Sequence, residues 1–207
     1  MSFHQAESPS DAVRQKQIFL VDDHPVTRHG LRTLITSDGR YAVCGEVDSA
    51  PRALEAMGRL TPDVAIVDVA LKSTNGIELT RGLRAQSPRT EVIIVSMHDE
   101  NVYAERALRA GAMGYLMKHE ASEKILQAID EVLRGNVYLS TPMKEKLLRR
   151  YVSQRSDRQA SPIDKVTDRE MEVLHLLGEG YSTREIANLL KLSVKTIDSY
   201  REHLKVK

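Results

Sequence analysis

Five short apolar runs, at residues 17–21, 41–47, 63–68, 91–96 and 113–117, each lead into a helical segment, at about 25–37, 50–60, 76–86, 100–110 and 122–134. This alternation leaves few folds open. Strands separated by helices return parallel to one another, and a parallel sheet must be covered on both faces. Local punctuation supports the division. "SPRTEVIIVS" breaks at Ser-Pro before a run rich in Val and Ile, and "ALRAGAMGYLMK" stops a helix at Gly111 before the last strand. The expected architecture is an α/β domain with a five-stranded parallel sheet in the order 2-1-3-4-5.

Chemistry collects at the strand ends. In "QIFLVDDHPV" the apolar run gives way to Asp22 and Asp23, and "DVAIVD" ends in Asp68. Open parallel sheets bind ligands at the carboxyl ends of their strands, where strand order reverses. In the order 2-1-3-4-5, strands one and three are neighbours there, so three carboxylates converge. Such a cluster is unfavourable alone and suits a hard divalent cation with oxygen ligands, Mg2+ being the natural one. Ser96 ends strand four with a hydroxyl, and Lys118 ends strand five with a mobile cation. Carboxylates, metal, hydroxyl and ammonium describe a phosphoryl-transfer site, one Asp acting as nucleophile. Taken singly, each residue has a plainer role: a helix-capping Asp, a solvated Lys, a turn Ser. The set in this order is what points to chemistry.

The motifs "LVDDHP", "AIVDVALKSTNGIEL", "IIVSMHD" and "AGAMGYLMK" resemble the receiver domain of two-component response regulators over about residues 17–135. The resemblance implies a flavodoxin-like receiver fold with Asp68 as phospho-acceptor. It also implies that Asp22, Asp23 and Asp68 hold magnesium, with the backbone carbonyl of Ala70 completing the shell. Ser96 and Tyr115 would be switch residues, and Lys118 would contact the acyl phosphate. Tyr115 as simple core packing is the rival reading. The sequence departs from many receivers at Lys72 and His119, where those have Pro, so the Lys118–His119 peptide lacks the residue that makes a cis bond inexpensive.

Beyond residue 135 the character changes. Residues 142–152 read as a helix, and "SQRSDRQASPIDK" at 153–165 is a polar stretch of linker composition. Two capping-box signatures follow, "TDRE" from Thr167 and "STRE" from Ser182, and Ser193 is placed to cap a third helix. Helices at about 168–178, 183–190 and 194–206, the last two joined only by Lys191, Leu192 and Ser193, make a helix-turn-helix, with Ile186, Ala187, Leu190, Val194 and Ile197 as its packing face.

Residues 166–207 resemble the LuxR-type DNA-binding domain, and joined to a receiver they resemble the NarL/FixJ class of response regulators. That implies a recognition helix from Val194 lying in the major groove of duplex DNA. Lys195, Thr196, Asp198, Ser199, Arg201, Glu202 and Lys205 would face the DNA. Lys195 and Arg201 suit phosphate or guanine, and Asp198 can accept from a cytosine amino group. Glu202 could equally pair with a neighbouring basic residue along the helix. The family commonly carries another helix past this one, and the sequence reads as ending at Lys207 before it.

The expected layout is a tail at 1–16, a receiver at 17–135, a helix and polar linker at 136–165 and a helix-turn-helix at 166–207. The expected role is a transcription regulator switched by a sensor histidine kinase, binding promoter DNA and pairing as a homodimer when phosphorylated. It would not be an enzyme beyond assisting its own phosphotransfer and dephosphorylation. Two other classes compete. An Asp-nucleophile phosphatase wants a second acid two residues after the nucleophile, and Ala70 stands there. A regulator working through protein contacts alone would not bind duplex DNA in a salt-dependent way.

Composition sets outer limits. A hydrophobic fraction of 41% in 207 residues supports two modest cores, and a net charge of +1 places any nucleic-acid affinity in a local patch. Cys44 is the only cysteine, which excludes an internal disulfide or a cysteine zinc site and fits a reducing cytoplasm. Residues 1–16 lack the apolar centre of a signal peptide, and no run is apolar enough to span a membrane.

Overall fold

The computed structural model describes residues 14–71, 74–153 and 165–206. Most of the tail, Lys72, most of the 153–165 stretch and Lys207 lie outside them. Five strands form the parallel sheet: β1 (Lys16–Val21), β2 (Tyr41–Val47), β3 (Val64–Asp68), β6 (Glu91–Ser96) and β7 (Gly114–Met117). A two-stranded antiparallel pair, β4 (Ala70–Leu71) with β5 (Thr74–Asn75), follows β3. The sheet order is β2-β1-β3-β6-β7, the expected 2-1-3-4-5 once that small pair is set aside.

Both faces of the sheet are buried, and the pleat divides them residue by residue. Phe19, Val21, Ala65, Val67, Val92 and Ile94 point into one core, while Ile18, Leu20, Val64, Ile66, Ile93 and Val95 point into the other. Helices α2 (Ala50–Met57), α3 (Gly76–Gln86) and α4 (Glu100–Arg109) cover the first face, and α1 (Pro25–Ser37) and α5 (Ala121–Leu133) cover the second. The expected 50–60 helix stops at Met57 because Gly58 caps it, its N–H returning to Glu55 and Ala56. The β4–β5 pair and a 3-10 turn over Lys118–Glu120 were not foreseen, since two or three residues carry no readable period. The Lys118–His119 peptide is trans.

Helix α6 (Thr141–Ser153) lies against α4, and the C-terminal bundle follows: α7 (Asp168–Gly178), α8 (Thr183–Leu190) and α9 (Val194–Val206). Both capping boxes form, Thr167 with Glu170 and Ser182 with Glu185. Ile186, Ala187, Leu190 and Ile197 join Val173 and Leu176 in a small core. Val194, the first residue of α9, does not: it is 43% exposed and lies outside that core. Among the described residues no helix is long and apolar enough to cross a membrane.

Lys191 ends α8 in the left-handed region, φ 54°, where a Cβ is strained by about 1–2 kcal/mol. Lys191→Gly should therefore leave the bundle as stable or up to about 1 kcal/mol more stable, despite glycine's larger unfolded-state entropy. Urea unfolding would measure this, and a clear loss of stability would contradict it.

Candidate phosphoryl-transfer and nucleic-acid sites

Three strand ends build the acidic pocket. Asp22 and Asp23 follow β1, Asp68 closes β3, and the parallel pairing of β1 with β3 sets them side by side. Asp68 is 2% exposed. Lys118, just past β7, reaches across: its Nζ lies 2.6 Å from Asp68 Oδ2 and 2.8 Å from Asp22 Oδ2. Burial pushes the Asp68 carboxyl up to about 6; Lys118 pulls against that shift and Asp22 adds to it. Burial also pulls the Lys118 ammonium down, but the two carboxylates outweigh it and hold the ammonium above its usual range. Lys118 sits between Asp22 and Asp68, and the Lys191 ammonium lies 4.0 Å from Asp23 Oδ2, so the three carboxylates still outnumber the lysines that face them.

One ligand atom from each of Asp22, Asp23, His24 and Asp68 lies within 4.8 Å of all the others. Asp23 Oδ1 is buried without a hydrogen bond, although the Nδ1 of His24 is 2.8 Å away. Three carboxylates, one of them with an unsatisfied buried oxygen, fit a hard divalent cation, with the His24 imidazole at their edge. Ala70 is present beside the nucleophile through its N–H, which donates to Asp68 Oδ1 at 3.2 Å. Sequence reasoning passed over His24, although its place directly after the acidic pair was the available signal.

Ser96 is fully buried at the end of β6, and its hydroxyl accepts from the N–H of His98 at 3.0 Å. Tyr115, on the neighbouring β7, is 1% exposed and donates its hydroxyl to the carbonyl of His98 at 2.7 Å. Tyr115 is therefore both core packing and a polar contact. Burial pushes its phenol up, so it remains a donor at all ordinary pH.

On α9 the side chains expected to face DNA divide into two groups. Lys195, Asp198, Ser199, Glu202 and Lys205 are exposed, while Thr196 and Arg201 are half-buried. Thr196 is engaged in the helix cap: its N–H donates to the Ser193 hydroxyl at 3.0 Å and the two hydroxyls meet at 2.7 Å. Arg201 donates to the Thr183 hydroxyl and braces α9 against α8. Glu202 pairs with Lys205 at 2.6 Å, the helix-face alternative. Lys195 and Asp198 are the exposed charges at the start of the helix with no such partner among the described contacts.

The two halves also touch, which no local pattern announced. Asp168, at the start of α7, is buried between Arg81 of α3 at 2.8 Å and Arg106 of α4 at 3.1 Å. Arg106 also donates to the Val166 carbonyl at 2.8 Å, and Asn75 approaches Glu172 at 3.5 Å. Val166 and Met171 complete the core beneath α2, α3 and α4.

Comparison with known proteins agrees with this geometry. The family described as the response regulator receiver domain matches residues 18–130, and that described as bacterial regulatory proteins, luxR family, matches residues 164–207. The nitrate/nitrite response regulator protein homolog of Haemophilus influenzae is 31% identical over 91% of this chain and 88% of its own length. Response regulator GacA of Pseudomonas aeruginosa is 31% identical over 89% of this chain and 86% of its own. A LuxR-family two-component response regulator from Aurantimonas sp. SI85-9A1 superposes with a TM-score of 0.62 at 34% identity, covering 67% of this chain and 99% of that one.

Proposed function

The chain belongs to the two-component response regulators that join a receiver domain to a LuxR-type DNA-binding domain, and from that premise we propose that Asp68 is its phospho-acceptor, that Asp22, Asp23 and Asp68 hold Mg2+, and that a sensor histidine kinase is the phosphodonor. The convergence of Asp22, Asp68 and Lys118 at the carboxyl ends of the strands carries this reading. The layout proposed with it is a tail to residue 16, a receiver at 17–135, a connecting helix and linker at 136–165 and the DNA-binding domain at 166–207.

The step is a nucleophilic displacement. An oxygen of the Asp68 carboxylate attacks the phosphorus of a phosphohistidine, forming an O–P bond as the N–P bond breaks. The imidazole leaves as the neutral ring once it has gained a proton. Burial at the strand end strips water from the Asp68 carboxylate, and Lys118 beside it neutralises charge on the phosphoryl oxygens. Asp22, Asp23, Asp68 and the Ala70 carbonyl would hold the cation, which when bound would neutralise charge on those same oxygens. Ser96 then offers its hydroxyl to the new dianion, and the buried Tyr115 beside it responds to the space that hydroxyl leaves.

The output is binding of a promoter duplex by α9, Lys195 and Lys205 meeting phosphates and Asp198 a base edge, with two phosphorylated copies acting as a homodimer. The acid two residues after the nucleophile that a phosphatase requires is replaced by Ala70, so the group serves its own phosphate turnover only.

The test is duplex DNA binding by the full chain at several salt concentrations, with and without a small acyl phosphate donor and magnesium. Tighter, salt-dependent binding after phosphorylation is expected. Binding that ignores phosphate, or that is absent at low salt, contradicts the proposal. Asp23→Ala is expected to weaken magnesium affinity and slow phosphorylation while leaving the fold intact, because it also removes a carboxylate from a repulsive group. A magnesium titration identical to the wild type would remove Asp23 from the metal shell.

A further inference from the structure

Lys191 is an odd residue for its position. It closes α8 at φ 54°, and among the described residues it is the one non-glycine with a positive φ. A strained lysine stands where glycine would end the helix without strain. Residues held in sparsely populated conformations collect at functional sites, so the side chain asks for a role. It runs to the receiver: the Lys191 ammonium lies 4.0 Å from Asp23 Oδ2. The lysine side chain is 56% exposed and that of Asp23 12%. Two lysines therefore divide the acidic pocket. Lys118 takes Asp22 and Asp68, from within the receiver. Among the described contacts Asp23 has the His24 imidazole, 2.8 Å from Oδ1, and Lys191 facing Oδ2.

We propose that Lys191 is the resident counter-ion of Asp23, supplied by the helix-turn-helix, and that Mg2+ takes its place when the metal site fills. This rests on the reading of Asp22, Asp23 and Asp68 as the Mg2+ ligands. A divalent cation among three carboxylates repels an ammonium that faces one of them. The ammonium is the partner that gives way. It stands beyond hydrogen-bond distance of Asp23, half in solvent, on a flexible four-carbon stem. Helix α7 stays docked, because Asp168 keeps Arg81 and Arg106. The coupling is reciprocal: by whatever factor Lys191 weakens the metal, the metal weakens the hold of Lys191 on Asp23. The turn before α9 thus responds to the metal alone, before any phosphate is transferred. Lys191 acts through Asp23 and is a positioning residue.

The test is a Mg2+ titration of the full chain without a phosphodonor. The 15N amide shifts of Asp22, Asp23 and Asp68 report the metal, and those of Lys191 and Leu192 report the turn. Lys191→Gln removes the charge but keeps a long side chain and the same left-handed cap. It should bind Mg2+ about two- to fivefold more tightly than the wild type, the scale of one exposed ion pair. High salt should shrink that difference, because such a pair is screened. Lys191→Arg keeps the charge and should bind as the wild type. Arg184→Gln removes one positive charge from an exposed position on the same helix and should also bind as the wild type. In the wild type, Mg2+ should move the Lys191 and Leu192 amides with the midpoint seen at the aspartates; in Lys191→Gln those turn shifts should be lost. Equal Mg2+ affinity in Lys191→Gln and the wild type would overturn the counter-ion and leave the site reading standing. Equal tightening in Arg184→Gln would reduce the effect to net charge and overturn it as well. A wild type whose aspartate amides ignore Mg2+ would overturn the site reading, and the role of Lys191 with it.

Discussion

Asp68→Asn is expected to take no acid-labile phosphate from a small donor in the presence of magnesium, and to bind promoter DNA as the unphosphorylated wild type does. The amide is a poor nucleophile, and an acyl phosphate cannot form on it without losing ammonia. The protein should remain folded. The buried carboxylate is already unfavourable enough that its acid form persists up to about pH 6, and an isosteric neutral group removes that penalty. The loss of its bonds to Lys118 and the Ala70 N–H acts in the opposite sense, but Lys118 keeps Asp22 at 2.8 Å. Intact mass and DNA titration read the two halves of the prediction. Undiminished incorporation would move the acceptor to another side chain.

Gly76→Ala is expected to be among the most damaging single substitutions in the receiver, although it adds only one methyl group. A Cβ at residue 76 would lie 1.9 Å from the carbonyl oxygen of Asp68 and 2.8 Å from its carbonyl carbon. Both are main-chain atoms of the strand end that carries the nucleophile, so neither can swing aside as a flexible side chain would. The close approach is itself bonded: the Gly76 N–H donates to the Val69 carbonyl at 2.8 Å as α3 begins. Ordinary overpacking costs about 1–3 kcal/mol, and a clash with backbone should reach or exceed the upper end. That is a large share of the roughly 5–15 kcal/mol that holds a domain together. Urea unfolding should show the loss. What folded protein remains should phosphorylate slowly, because relief of the clash displaces Asp68. The contrast is Gly45→Ala, whose Cβ would meet the Leu60 Cδ1 at 2.9 Å and the Phe19 ring at 3.2 Å, side-chain atoms that can give way. Equal stability of Gly76→Ala and the wild type would show that the strand end is softer than its geometry implies.

Much of this protein was settled by its amino-acid order alone. Hydrophobic period and turn punctuation placed the sheet strands and the helices to within a few residues, because each element is a local response of the backbone to its own side chains. The parallel order of the sheet then carried Asp22, Asp68 and Lys118 together without any contact being known, since strand ends in such a sheet share one edge. The capping boxes at Thr167 and Ser182 were likewise legible, as each is complete within four residues. Other features exist only in three dimensions. Arg201 reads as a DNA contact by position, yet Thr183 on another helix claims it. Val194 fits an apolar face by spacing, yet at the start of α9 it stays exposed outside the small core. Asp168 between Arg81 and Arg106, and His98 against His175, join residues separated by long stretches of chain. No period or spacing encodes such pairs. Their meeting depends on how two separately folded cores settle against each other, a choice made by surface shape and charge after the local structure is complete.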